Sequence, residues 1–218
     1  MPLTSIEAIH TGGYLGIWTI RENENYFRSR LRLSLPELQS MTAKQGMRRL
    51  EWLAARYLLQ YLSPPDAICR KDQFGKPYLL NYPLHISISH SRGAVAVAIA
   101  RAPVGVDIQG FSDKIEGLAF KFLHENESNA GYDRKQLHVF WGAKEVLYKA
   151  CGRRDLFFKD HIFIAPFQYL PAGGHCEGFV EKEDFAANFN LHYREMDKHL
   201  LVYGLTDSDL PKGVAHTA

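Results

Sequence analysis

One segment in the second half of the chain carries residues whose types and spacing could do chemistry. It reads Trp141-Gly-Ala-Lys144-Glu145, with Lys149 four residues further on. Residues four apart share one face of a helix, so the Glu145 carboxylate and the Lys149 ammonium would lie together. Such a pair is either a solvated ion pair on a surface or a metal-binding carboxylate beside a phosphate-binding cation.

A second acid stands upstream in the segment Gly105-Val-Asp107-Ile-Gln109. Alone, an acid after a hydrophobic run is typical of a turn or a cap. Two carboxylates brought together from a strand end and a helix would instead suit Mg²⁺. That ion prefers hard oxygen ligands, keeps several waters and takes phosphate oxygens for the rest of its shell.

Two further segments precede these acids. Ser87-Ile-Ser89-His90-Ser91 places a histidine between hydroxyls, where it is either a structural hydrogen-bonding group or a ligand for phosphate. Gly75-Lys76-Pro77 is typical of a turn, and it lacks the remaining residues of a phosphate-binding P-loop. No Gly-x-Ser-x-Gly is present, so a nucleophile elbow is unsupported.

The elements that must position these residues follow from periodicity and from helix stops. Apolar stripes predict one helix over about 44–62, ended by Ser63-Pro64-Pro65, and another over about 134–151, capped by Gly152. Alternation predicts a hairpin from 85–89 and 94–100, then a strand over 104–108. Four more strands are predicted over about 163–167, 177–180, 189–195 and 200–205.

The order of a helix followed by antiparallel strands therefore occurs twice. We expect an α+β fold of two pseudo-repeated halves, each an antiparallel sheet packed against a long helix, with the site at their junction. The predicted halves are 1–103, with the nucleotide contacts, and 104–218, with the metal- and phosphate-contacting residues.

Composition bounds the class of protein. The 218 residues are 46% hydrophobic and 23% charged, and the net charge is +2, which excludes bulk disorder and gives no charge-based argument for a nucleic-acid partner. The longest apolar run, 94–100, is far too short to span a bilayer, and residues 1–10 lack the pattern of a signal peptide. Three cysteines without zinc spacing predict reduced thiols, so we expect a cytoplasmic protein with no membrane or nucleic-acid partner.

The order and combination of these motifs resemble the 4′-phosphopantetheinyl transferase superfamily in its monomeric two-repeat form. The resemblance is strong over about residues 44–152 and extends to the arginines of the first long helix, Arg48, Arg49 and Arg56. It implies an enzyme that moves the phosphopantetheine arm of coenzyme A onto a serine of an apo acyl or peptidyl carrier protein. The reaction would need Mg²⁺ and would release adenosine 3′,5′-bisphosphate.

The resemblance also implies a role for each matching residue. Asp107, Glu145 and Lys149 would be catalytic, and Glu145 or Glu127 would take the proton of the carrier serine. The implied metal positions are Asp107, Glu145 and Gln109. The implied coenzyme A contacts are Lys76, Ser89, His90, Lys149, Arg49 and Arg56.

Gln109 departs from the family pattern, because many relatives carry an acid there. An amide lends an oxygen but no charge, so a catalytically inactive coenzyme A-binding homologue is the alternative. A Mg²⁺-dependent pyrophosphate hydrolase is a further one. The sequence leaves the carrier and its pathway open; the candidates for steering an acidic carrier are Lys44, Arg48, Arg49, Arg153 and Arg154.

Overall fold

The structure is a computed structural model, and it describes residues 3–9, 12–128, 131–206 and 210. Within these residues the chain has the expected mixed α+β class. The strands are β1 (Leu3–Ile9), β2 (Gly13–Thr19), β3 (Cys69–Lys71), β4 (Pro77–Leu79), β5 (His85–Ser91), β6 (Ala94–Ala100), β7 (Val104–Gly110), β8 (Ile162–Ile164), β9 (Gly174–Lys182), β10 (Phe185–Met196) and β11 (His199–Leu205). The helices are α1 (Glu24–Arg28), α2 (Leu35–Thr42), α3 (Gly46–Leu62), α4 (Ile115–Leu118), α5 (Glu125–Ser128), α6 (Arg134–Cys151) and α7 (Phe158–His161).

The first sheet is antiparallel, with the strand order β1-β2-β6-β5, and α3 packs against it. Every residue of β6 is buried, which explains its continuous run of alanine, valine and isoleucine. The hairpin turn between β5 and β6 has Arg92 and Gly93 at positive φ. This hairpin confirms the strand pair that alternation predicts.

The second sheet is also antiparallel, with the order β7-β11-β10-β9-β8, and α6 covers one of its faces. The Asp133 side chain caps the first turn of α6, and Gly152 ends the helix with φ of 67°. Both ends therefore lie where the sequence places them. β3 and β4 form a separate two-stranded ribbon.

The two sheets meet where β5 and β7 run side by side at their edges. Three serines at alternate positions of β5, Ser87, Ser89 and Ser91, accept hydrogen bonds from the backbone of β7 at 3.0, 3.1 and 3.2 Å. Their side-chain hydroxyls take the place of the backbone ladder between neighbouring strands. The donors are the amides of Val106, Ile108 and Gly110.

The helices and the cysteines bear on two expectations from the sequence, the lack of a membrane span and the reduced state of the thiols. No helix in the described part of the chain is long and apolar enough to cross a membrane. Cys69, Cys151 and Cys176 are all free thiols, as expected. Burial raises the pKa of Cys151 to about 12, so this thiol is protonated at neutral pH and is no nucleophile.

Candidate active site

The site forms where α6 comes into contact with β7, and Gly105 allows that approach. A Cβ at Gly105 would lie 2.1 Å from the carbonyl oxygen of Val146 on α6. Gly105, Asp107 and Gln109 alternate along β7 and so share the face turned toward α6. The absence of a side chain at Gly105 thus brings Asp107 within reach of residues on the helix.

Lys149 of α6 is at the centre of the contacts. Its Nζ donates to Asp107 Oδ1 at 2.8 Å, to the Val106 carbonyl at 3.1 Å and to Ser89 Oγ at 3.3 Å. Ser89 Oγ in turn donates to Asp107 Oδ1 at 2.9 Å. Asp107 is only 6% exposed, and a buried carboxylate needs a partner. The Lys149 ammonium compensates its charge, and the Ser89 hydroxyl donates a further hydrogen bond to it.

Glu145 provides the second carboxylate, one helical turn before Lys149. Its Oε2 lies 3.7 Å from Lys149 Nζ, and its side chain is 24% exposed. Burial raises the pKa of Glu145, Lys149 opposes that shift, and the nearby charge of Asp107 raises it further. The two acids are therefore close enough to repel each other, as expected where a cation is to bind.

This donor set fits Mg²⁺. Among the described residues no group of three His, Cys, Asp or Glu side chains could hold a metal. Two carboxylates nevertheless suffice for an ion that is commonly bound through one or two acids, with waters and substrate phosphates completing its shell. Asp107 and Glu145 are the residues that would hold it.

Gln109 takes part in a hydrogen-bond chain behind Asp107. Its Nε2 donates to Asp107 Oδ2 and to the His138 carbonyl, both at 3.1 Å. Its Oε1 lies 2.8 Å from Nδ1 of the buried His138 ring. Burial lowers the pKa of His138, which favours the neutral ring.

A cavity of about 220 Å³ opens beside Lys149. The described residues that line it include four cations and no acid. Lys76 Nζ donates to the carbonyl of Ala150 at 2.8 Å, at the end of α6, and burial lowers the pKa of Lys76. Arg154 lies over the Phe74 ring at the same cavity, with 5.4 Å from its guanidinium carbon to the ring centroid. A pocket of this charge is suited to an anionic ligand.

His90 is held by Glu51, a residue that belongs to none of the sequence motifs. Glu51, on α3 and only 5% exposed, has Oε2 2.8 Å from His90 Nδ1. Its Oε1 accepts from the Gly93 amide at 2.9 Å, so one carboxylate fixes both the histidine and the hairpin turn. The signal available was an acid on the otherwise apolar face of a predicted amphipathic helix.

Comparison with known proteins supplies the relatives of this chain, although no protein-family model matches it. Over 129 residues, 54% of the chain, it is 32% identical to the 4′-phosphopantetheinyl transferase AcpT of Salmonella typhi, and the match covers 67% of that relative. The chain belongs to the 4′-phosphopantetheinyl transferase family. It is also 36% identical over 111 residues to the 4′-phosphopantetheinyl transferase gsp of Aneurinibacillus migulanus, of which it spans about half, 46%.

The structure brings together several residues that the family resemblance assigns. Asp107, Glu145 and Lys149 form one cluster, and Lys76 shares the adjoining cavity with Lys149. Ser89 belongs to the same cluster, where its hydroxyl is engaged by Asp107, Lys149 and the Ile108 amide.

The two arginines expected at coenzyme A lie elsewhere. Arg56 is buried in a second cavity of about 310 Å³, which shares no lining residue with the first. It donates to Cys69 Sγ at 3.2 Å and lies 3.6 Å from Glu37, so the arrangement does not support its predicted contact with the nucleotide. Arg49 donates to Glu24 at 2.8 Å, which ties it to α1.

Glu127, the second candidate for the catalytic base, is a structural residue in this arrangement. Its Oε2 accepts from Lys144 Nζ at 2.6 Å and from the His124 amide at 2.7 Å, and its Oε1 accepts from the Ile164 amide at 2.8 Å. Lys144 is fully buried. A carboxylate that is 7% exposed and holds three donors has no access to a substrate proton.

Gln109 is not oriented as the predicted metal ligand. As a ligand it would have to present its amide oxygen beside the carboxylates. In the structure that oxygen faces His138, and the nitrogen faces Asp107, because Asp107 Oδ2 and the His138 carbonyl are both acceptors. This arrangement does not support a metal-binding role for Gln109.

Proposed function

We propose that this protein transfers the 4′-phosphopantetheine arm of coenzyme A to a serine of an apo carrier protein. One observation carries the proposal: Asp107, Glu145 and Lys149 form one cluster, and Lys149 also lines a cavity whose described charged residues are all cations. A metal-binding pair of acids beside a pocket for an anionic nucleotide is what a diphosphate-containing substrate requires. Membership of the transferase family supports this reading.

The cavity is the proposed site of the nucleotide end of coenzyme A. Lys76 and Arg154 would contact its phosphates, and the apolar surface near Phe74 would contact the base. His90, 44% exposed on its side chain, has one ring nitrogen bound to Glu51, which leaves the other for a phosphate oxygen. These contacts would fix the diphosphate beside Lys149, and positioning of this kind accounts for a large part of catalysis.

In the proposed reaction, the carrier serine oxygen forms a bond to the phosphorus that bears the pantetheine arm. The bond from that phosphorus to the bridging oxygen breaks, and the bridging oxygen leaves with adenosine 3′,5′-bisphosphate. The serine proton passes to Glu145, the more exposed of the two acids, directly or through a water. Lys149 neutralises the charge that develops on the leaving bisphosphate.

Mg²⁺ bound between Asp107 and Glu145 would supply charge neutralisation at the diphosphate. The contribution of the chain is to hold the two carboxylates in place. Ser89 and Lys149 fix one oxygen of Asp107, and Gln109 fixes the other.

The test is to incubate the protein with Mg²⁺, coenzyme A and a panel of apo carrier proteins, and to weigh the carriers. We expect one carrier to gain the mass of a single phosphopantetheinyl group. Glu145→Gln and Asp107→Asn should each lower the rate at least about a hundredfold. Glu177→Gln, which changes an exposed acid on β9, is the matched control and should leave the rate unchanged.

An inactive coenzyme A-binding homologue is the second candidate, and Gln109 is the observation that favours it. A site with two acids holds its metal less tightly than a site with three, so such a homologue would bind coenzyme A without turning it over. Calorimetric binding of coenzyme A, with no mass gain on any carrier at any Mg²⁺ concentration, would support this candidate.

The remaining proposals concern the setting of the reaction. Reduced thiols favour the cytoplasm. We also propose that the chain acts as a monomer, with 1–103 and 104–218 as its two halves. Arg153 is one of the basic residues named for steering a carrier. It is paired with Asp155 at 2.8 Å and with Asp184 at 3.1 Å, and these two acids offset its charge.

A further inference from the structure

We propose that Gln109 and His138 are positioning residues, which together hold Asp107 in the orientation that the metal site requires. The metal-binding purpose of this arrangement rests on the proposed function, whereas the hydrogen bonds themselves are independent of it. The arrangement gives a role to His138, a buried histidine that no sequence motif indicates.

The direction of the chain of hydrogen bonds is fixed at Gln109. Asp107 Oδ2 and the His138 carbonyl are both acceptors, so Gln109 must turn its NH₂ to them. Its Oε1 then faces His138 Nδ1 at 2.8 Å, and because an amide oxygen only accepts, Nδ1 carries the ring proton and donates it. In the neutral ring Nε2 is then free to accept from the Ser112 amide at 3.0 Å, beside the Ser112 carbonyl at 3.2 Å.

Close packing keeps the amide in this place. A Cβ on Gly142 of α6 would lie 2.7 Å from Gln109 Nε2, so the missing side chain at Gly142 makes room for the amide. His138 is 2% exposed, and its ring packs edge-on against Phe111 with centroids 5.3 Å apart. Neither the ring nor the amide can turn over without losing a partner that water cannot replace.

The consequence for Asp107 is a carboxylate with both oxygens held. Lys149 and Ser89 bind Oδ1, and Gln109 binds Oδ2. Hydrogen-bonding partners of this kind orient a metal-binding carboxylate, and losing one typically weakens metal binding about tenfold to a hundredfold. Gln109 therefore acts on a metal through Asp107 and not by its own oxygen.

The experiment measures Mn²⁺ binding by electron paramagnetic resonance in the presence of coenzyme A, for four variants. Gln109→Ala and His138→Ala should each weaken Mn²⁺ binding about tenfold, and the double variant should be no weaker than either single one, because they break the same chain. His138→Asn places an amide N–H near the position of Nδ1 and should restore most of the affinity. Melting temperatures identify any variant that fails to fold.

Three results would overturn the proposal. If Gln109→Ala weakens binding while His138→Ala does not, Gln109 is a ligand in its own right. If the two effects add, the residues act separately. A nitrogen-15 correlation spectrum of the wild-type histidines that places the His138 proton on Nε2 would also overturn it. If the protein binds no Mn²⁺ at all, the proposed metal site is wrong. The nitrogen-15 spectrum then still tests whether His138 donates from Nδ1 to Gln109.

Discussion

Removing either partner of the buried Lys144–Glu127 pair should destabilise the fold strongly. Lys144 is fully buried, and its ammonium meets Glu127 at 2.6 Å together with the carbonyls of Phe158 and Ile162. In Glu127→Gln the ammonium keeps only neutral acceptors. Breaking a buried pair by removing one partner costs about 3–5 kcal/mol, because it leaves an uncompensated buried charge.

Lys144→Met instead leaves the Glu127 carboxylate without its ammonium partner, but two backbone amides still donate to that carboxylate. Glu127 then keeps the amides of His124 and Ile164, so we expect a loss at the lower end of the same range, about 3 kcal/mol. The double variant removes both charges and should cost less than the sum of the two. The pairwise coupling should be about 2–3 kcal/mol.

The assay is urea unfolding at pH 7, with the midpoint and slope measured for both single variants, the double variant and the control Glu177→Gln. The control should differ from the wild type by less than about 0.5 kcal/mol. Single variants that lose less than about 1 kcal/mol, or a strictly additive double variant, would refute the assignment of this pair as a structural unit. The folded fraction of Glu127→Gln should also keep its transferase rate, whereas a hundredfold loss in folded protein would restore Glu127 as the base.

Three further predictions concern the hairpin histidine, acid stability and the approach of α6. Glu51 holds His90, which we propose binds the 3′-phosphate of coenzyme A. Glu51→Ala should therefore raise the KM for coenzyme A several-fold with little change in kcat, and a 3′-dephospho analogue should show no such change. An equal effect on both substrates would contradict this role. Arg194 lowers the pKa of Glu7 through a hydrogen bond, so the stability that Glu7 contributes is present above its unfolded pKa near 4.5 and is lost as pH falls through its folded value. Arg194→Met should therefore cost up to about 1 kcal/mol at pH 7 and nothing at strongly acid pH, in urea titrations across that range. Gly105→Ala would place a methyl group 2.1 Å from a carbonyl of α6, so we expect a loss of at least about 2 kcal/mol by thermal unfolding, and a neutral result would contradict the close contact.

The elements around the site could be predicted from the sequence because their signals are local. α6 has a capping residue at its start, a long apolar stripe and a glycine at its end, and its observed bounds are the predicted ones. The β5–β6 hairpin has strict alternation and a turn with Gly93 at positive φ. The sequence pattern does not predict β2, which is buried over four consecutive residues and gives no alternation.

The contacts between distant segments could not be read from any local pattern. Nothing in the sequence indicates that alternate serines of β5 accept from β7, or that β7 pairs with β11, about 90 residues further on. The partners of Glu51, Lys144 and His138 are side chains and backbone groups brought in by that same topology. The resemblance to the family placed Asp107 with Glu145, but it did not show how Arg56 or Glu127 are used.

The decisive experiment is the transfer assay on a purified apo carrier protein. With Mg²⁺ and coenzyme A, we expect the carrier to become heavier by one phosphopantetheinyl group, and this gain to be lost when Asp107 is changed to Asn or Glu145 to Gln. A panel of carriers that all keep their mass, or a Glu145→Gln variant that works at the wild-type rate, would contradict it.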